Sequence, residues 1–184
     1  MISLSMRSSV LSAIVAIGLF GAVPAFSAQE LTEMRLTQDI MSKSLRESKS
    51  IIAHSGHMLE DARPFSSPRY AARFRFEPSD SKSRSILSVS RTMGYRLRML
   101  SGVTCHTEIQ GLPEIFKDIF ENLEKIDNGS KRTLRAIRDR NSALYLASAK
   151  TINDEARKLI NNLAGMETLL NGAIHITDAN HEDL

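Results

Sequence analysis

Ser130–Ala173 reads SKRTLRAIRDRNSALYLASAKTINDEARKLINNLAGMETLLNGA, and its spacing decides the fold. Leu134, Ile137, Leu144, Ile152, Leu159, Leu163, Met166 and Leu170 recur on intervals built from threes and fours, with no proline among them. A helix of 3.6 residues per turn gathers such positions on one face. Sustained over roughly 40 residues, the pattern predicts a rod of about 60 Å. That length calls for a bundle or coiled coil rather than an ordinary globular helix. Asn141 and Ser148 fall on the same stripe, where polar groups weaken a seam but fix its register and partner.

Upstream of this stretch the same period appears three more times. Glu30 to about Leu59 carries Leu31, Met34, Met41, Leu45 and Ile52, with Ile40 and Ile51 widening the stripe. Ser79 or Asp80 caps a second helix reaching about Val103, striped by Ile86, Val89, Met93, Leu97 and Leu100. Pro113 suits the first position of a third. Its wide face is Ile115, Phe116, Ile119, Phe120, Leu123 and Ile126. Asn128-Gly129 then reads two ways. It is a turn signal and a good helix stop. Yet the three/four spacing crosses it, and a fresh helix there would put Lys131 and Arg132 in the first turn, where the dipole disfavours cations. The stop is the preferred reading, leaving 130–173 as the long helix. After Gly172, Thr177-Asp178 followed by Glu182 and Asp183 looks like the start of one more helix, cut short at Leu184.

The fold class is therefore all-α: an elongated bundle of long amphipathic helices, one domain over 28–184, with an irregular appendage at 62–85. The first helix can cover one side of the long one, but the second and third are shorter and do not cover the other side to its far end, near Met166 and Leu170. Apolar surface should then lie open along 152–170 and be hidden by self-association or by a partner.

Residues 1–27 read as a secretory signal peptide. Arg7 is the only charge before Glu30, Val10–Val23 is apolar but short, and Ala25-Phe26-Ser27 offers small residues for a cut after Ser27. The mature chain should be exported, periplasmic or at the cell surface, with no stable membrane insertion. Cys105 is the only cysteine, so no intrachain disulfide forms. The final His-Glu-Asp-Leu loosely resembles an endoplasmic-reticulum retrieval tail.

Net charge is +3, unevenly spread. Residues 63–99 hold Arg63, Arg69, Arg73, Arg75, Lys82, Arg84, Arg91, Arg96 and Arg98 against Glu77 and Asp80. Within them, Arg63, Phe65, Arg69, Tyr70, Arg73, Phe74, Arg75 and Phe76 interleave arginine with aromatic side chains. Those residue types dominate binding hot spots, and loops often carry function. These eight residues are the expected partner-binding set. Their composition would also suit nucleic acid, but an exported protein rarely meets one, so protein is the expected partner.

Little else carries chemistry. His54 and His57 share a helix face, but no residue is spaced to complete a metal site. Cys105 and His106 are adjacent, which does not orient a base on a thiol. There is no phosphate loop, nucleophile elbow or zinc-protease motif. The expectation is a protein that is not an enzyme and needs no cofactor or metal.

Asn162-Leu-Ala-Gly-Met-Glu-Thr-Leu-Leu-Asn-Gly-Ala-Ile-His-Ile-Thr-Asp178, following a long helix, an irregular insertion and a longer helix, resembles the type IV secretion minor pilins of pilus tips. In that family a similar stretch leads across a short link into a last helix, so the resemblance implies a truncated or diverged member. It implies an exported, non-enzymatic structural or adhesive component of a type IV secretion or conjugation apparatus. Its partners would be pilus subunits or a cell-surface receptor. Two other readings of the residues stay open: a periplasmic chaperone or stress-sensing bundle, and a metal-binding bundle.

Overall fold

The computed structural model describes residues 27–63, 77–102 and 109–182. Residues 1–26 of the expected signal peptide 1–27, residues 64–76 of the expected appendage, and Cys105-His106 lie outside them. Four helices follow in order: α1 Ala28–Ala62, α2 Glu77–Ser101, α3 Leu112–Arg138 and α4 Ser142–Glu182. Among the described residues there is no strand. Each helix packs on two neighbours, closing a ring α1–α2–α3–α4. Side-chain contacts show every neighbouring pair to be antiparallel. Asp61 meets Lys82 while Glu47 meets Arg96 across α1–α2. Asn122 meets Glu155 while Gly111 lies by Leu169 across α3–α4. The all-α bundle expected from the periodicity is the fold.

Buried positions follow a strict seven-residue repeat. On α1 they are Met34, Thr37, Met41, Ser44, Ser48, Ile51, Ser55, Met58 and Ala62; on α2, Ser79, Ser83, Ile86, Ser90, Met93, Leu97 and Leu100. On α4 they include Tyr145, Ala149, Ile152, Ala156, Leu159, Leu163, Met166 and Leu170. A 3.5-residue hydrophobic period produces left-handed, knobs-into-holes packing. About half of the α1 seam is hydroxyl. Ser44, Ser48 and Ser55 each donate to the carbonyl four residues back, at 2.9, 2.9 and 2.8 Å. Satisfied inside its own helix, such a serine behaves as a small filler. Reading only apolar residues therefore drew the α1 stripe slightly off. Leu31, Ile40, Leu45 and Ile52 flank the seam and are only partly buried.

Besides the start of α2, where 77–85 is helical rather than part of the irregular appendage and Ser79 lies buried inside the helix instead of capping it, two boundaries differ from expectation. Helix α3 runs straight through Asn128-Gly129. Gly129 is buried, and a Cβ there would stand 2.8 Å from Ile152 Cγ1. Its glycine serves the close approach of α4, not a turn. The break comes at Asp139-Arg140-Asn141, so 130–173 is not one helix. Arg140 takes φ 50°. Its N–H donates to Ile137 O and that of Asn141 to Ala136 O, at 3.3 and 2.8 Å. These are the two bonds of a Schellman stop. Asn141 Oδ1 then accepts from Leu144 N at 2.9 Å and caps α4. Asn141 is thus a cap and not a seam residue.

The second difference is at the far end. Helix α4 continues past Gly172 to Glu182, so Thr177-Asp178 starts nothing new. Ala173 and Ile174 are buried in the common core. An interior glycine costs about 1 kcal/mol, which that burial offsets. With α1 on one side and a 27-residue α3 on the other, Ile152, Leu159, Leu163, Met166 and Leu170 are all fully buried. The open apolar surface expected along 152–170 does not exist, and that stripe offers no face for self-association. No helix among the described residues is long and apolar enough to cross a membrane.

Candidate interaction surface

Because the seams close inward, any binding face must lie outside them. Among the described residues the exposed large apolar side chains are Leu36, Tyr95, Met99 and Ile176. Two of the four adjoin on α2: Tyr95 is 69% exposed and Met99 65%. Residues four apart share a helix face. Beside them runs an arginine row, Arg84, Arg91 and Arg98, spaced by seven like the seam and therefore straight along the helix.

Between this row and α3 lies an open groove of about 880 Å³. It exists because Gly94 and Ser101 bring little or no side chain to the α3-facing edge of α2. Phe116, Phe120 and Leu123 border it on α3. Phe116 and Phe120 stack with ring centroids 6.1 Å apart. The Arg98 guanidinium sits 5.9 Å from the Phe120 centroid, within the range of a cation–π contact. At the other end Arg91 Nε donates to Asp127 Oδ1 at 2.8 Å, and Lys131 also pairs with Asp127. Burial works against the Asp127 charge. Hydrogen bonds and positive charge from Lys131 and Arg91 outweigh it and hold the carboxyl below its ordinary value. The α2 wall is thus basic, while Glu121 and Glu124 make the middle of the α3 wall acidic.

A second polar group sits within the α3–α4 seam. Asn122 Nδ2 donates to Glu155 Oε2 at 2.9 Å, and Asn162 Nδ2 to Asn122 Oδ1 at 2.9 Å. Lys158 Nζ reaches Glu155 Oε1 at 2.7 Å, with Lys125 at 3.9 Å from Oε2. Desolvation pushes the Glu155 carboxyl up. The Lys158 and Asn122 hydrogen bonds and the two lysine charges prevail and lower it. Such a carboxylate stays ionised and fully partnered, which suits a register lock between helices. Asn153 does the same across α1–α4, donating to Ser55 Oγ at 3.0 Å and Ile52 O at 3.2 Å.

Of the expected partner-binding residues, Arg63 is exposed and forms the C-terminal cap of α1. Phe65, Arg69, Tyr70, Arg73, Phe74, Arg75 and Phe76 lie outside the described residues. His54 Nδ1 is 3.4 Å from Ser50 Oγ, and His57 is exposed. Among the described residues no group of three His, Cys, Asp or Glu is placed to hold a metal. Sequence reasoning singled out the basic 63–99 segment but not Gly94, Tyr95 or Met99. The signal was there: large apolar residues off the seam beside seven-spaced arginines. No family model, curated protein or solved structure matches the chain.

Proposed function

We propose that this chain is an exported, non-enzymatic interaction module that docks a protein partner on the outer α2–α3 face. In this reading it serves as a structural or adhesive component of a type IV secretion or conjugation apparatus. The observation that carries the docking role is the exposure of Tyr95 and Met99 beside the Arg98–Phe120 pair. Tyrosine, arginine, methionine and phenylalanine are the residues enriched where proteins bind one another. The bundle does not need Tyr95 or Met99 for its own core, since both are largely exposed and lie outside the core cluster. The apparatus is suggested by the resemblance of 162–178 alone; in that region α4 runs on without the link the family carries.

The test is co-purification from envelopes of the source organism after mild cross-linking. Replacing Tyr95 and Met99 together by serine should abolish recovery of the partner while leaving helical circular dichroism unchanged. Undiminished recovery with the double variant would refute docking on this face. Recovery of a partner unrelated to secretion would refute the apparatus alone.

A further inference from the structure

Resting on that docking reading, we propose that the docking element is an amphipathic helix of a different chain. It plants a large apolar side chain in the notch over Gly94 and turns a carboxylate toward Arg98. When helices pack, a knob from one enters a hole formed by four residues of the other, at i, i+3, i+4 and i+7. On the outer face of α2 that set is Arg91, Gly94, Tyr95 and Arg98.

No side chain of the described residues is seen to fill this hole, and for a specific reason. A Cβ at Gly94 would meet Leu123 Cδ1 at 3.8 Å and nothing closer. The glycine is thus not demanded by helix crowding, and its missing side chain leaves the groove open to Leu123. On α3 the groove is bordered by Pro113, Lys117, Phe120, Glu124, Asp127 and Lys131, spaced four, three, four, three, four. Both walls therefore run straight along their helices, the shape that a third helix fits.

Charge selects the helix. Arg84 pairs with Asp80 and Arg91 with Asp127, whereas Arg98 stacks on Phe120 and forms no ion pair among the described residues, so Arg98 is the cation of the row left to meet a carboxylate. The opposite wall carries Glu121 and Glu124. A complementary helix has an apolar stripe with acids on one flank and lysines on the other, which also fixes its direction. A second copy does not meet this description. Its helices keep their apolar seams inside, and its exposed large apolar residues are limited to Leu36, Tyr95, Met99 and Ile176 among the described residues.

The experiment uses the purified chain and two labelled peptides of about 21 residues, three seven-residue repeats. One has leucines flanked by glutamate on one side and lysine on the other; in its control every glutamate is lysine. Fluorescence anisotropy should show saturable binding of the acidic peptide, weakened by salt, and none of the control. Gly94→Leu fills the notch and should weaken binding at least about tenfold, the size of a hot-spot loss, with helical content and thermal midpoint retained. Arg98→Glu, fully outside the core, should reverse the preference between the peptides, and it keeps the test decisive if Gly94→Leu disturbs folding. Equal binding of both peptides, or a preference unmoved by Arg98→Glu, overturns the proposal. If the peptides fail while Tyr95/Met99 replacement still abolishes partner recovery, docking stands and only the helical occupant is wrong.

Discussion

Gly56 and Gly129 are both helical glycines, yet they answer to different forces. Nothing lies within 4 Å of a Cβ built on Gly56, whereas one on Gly129 would stand 2.8 Å from Ile152 Cγ1. Gly56→Ala should raise stability by about 0.5–1 kcal/mol, since it reduces the freedom of the unfolded chain and costs no contact. Gly129→Ala gains the same propensity but forces a β-branched side chain in the seam to move. It should lose a net 1–2 kcal/mol or so. Chemical denaturation of the two variants checks the opposite signs. No sequence rule separates these glycines, because the difference lies in what the facing helix brings. Glu155 makes the same point with charge. Its carboxyl is held below its ordinary value in the fold, so the stability it contributes is present above the unfolded carboxylate range. That stability is lost as pH falls through the depressed folded value. Asp127 shifts in the same direction, so the two act together on acidification. Glu155→Gln should flatten part of the acid limb of the stability–pH curve, measured by denaturation at successive pH values. An unchanged limb would remove Glu155 from that role.

At the scale of the element, caps mattered more than turn dipeptides. Asn128-Gly129 has the composition of a stop, but Asp139-Arg140-Asn141 is the stop, built from a left-handed arginine and an asparagine cap. A non-glycine residue in that conformation costs about 1 kcal/mol or more. Arg140→Gly should therefore stabilise the chain by about 1 kcal/mol, and Asn141→Ala should cost about as much through the lost cap. Thermal midpoints of both variants, moving in opposite directions, check this. At the other end of the molecule Ser27 and Glu30 form a capping box: Ser27 Oγ accepts from Glu30 N at 3.3 Å, and Glu30 Oε2 from Ser27 N at 2.6 Å. A cut after Ser27 would remove that cap and set an ammonium group at the positive end of the helix dipole. The start of α4 was hidden behind Asn141, which reads as a stripe residue, whereas the starts of α1 and α3 and the apolar stripes were legible because period and caps are local. The serine seam was not, since serine reads as surface until its hydroxyl is seen turned back on its own helix.

At the scale of the whole molecule, one misplaced boundary carries far. A stop at 129 makes α3 too short to cover α4, which leaves 152–170 bare and asks for self-association. A stop at 140 lengthens α3, and the ring closes on itself with that stripe fully buried. Closure then changes where function is sought, from the seam to the outside. The outer α2–α3 face is legible only in part: the seven-spaced arginines can be counted in the sequence, but the groove beside them depends on α3 lying antiparallel at the Gly94 edge. The most direct test of the account maps contacts in cells of the source organism, with a photocrosslinking amino acid placed singly at Tyr95, Arg98, Lys117 and Glu124, and at Leu36, Lys43, Asn161 and Thr168. The account predicts protein crosslinks at the first four positions, on the α2–α3 face, and few at the second four, on α1 and α4. Crosslinks concentrated on α1 and α4 with none at Tyr95 or Arg98 would contradict it.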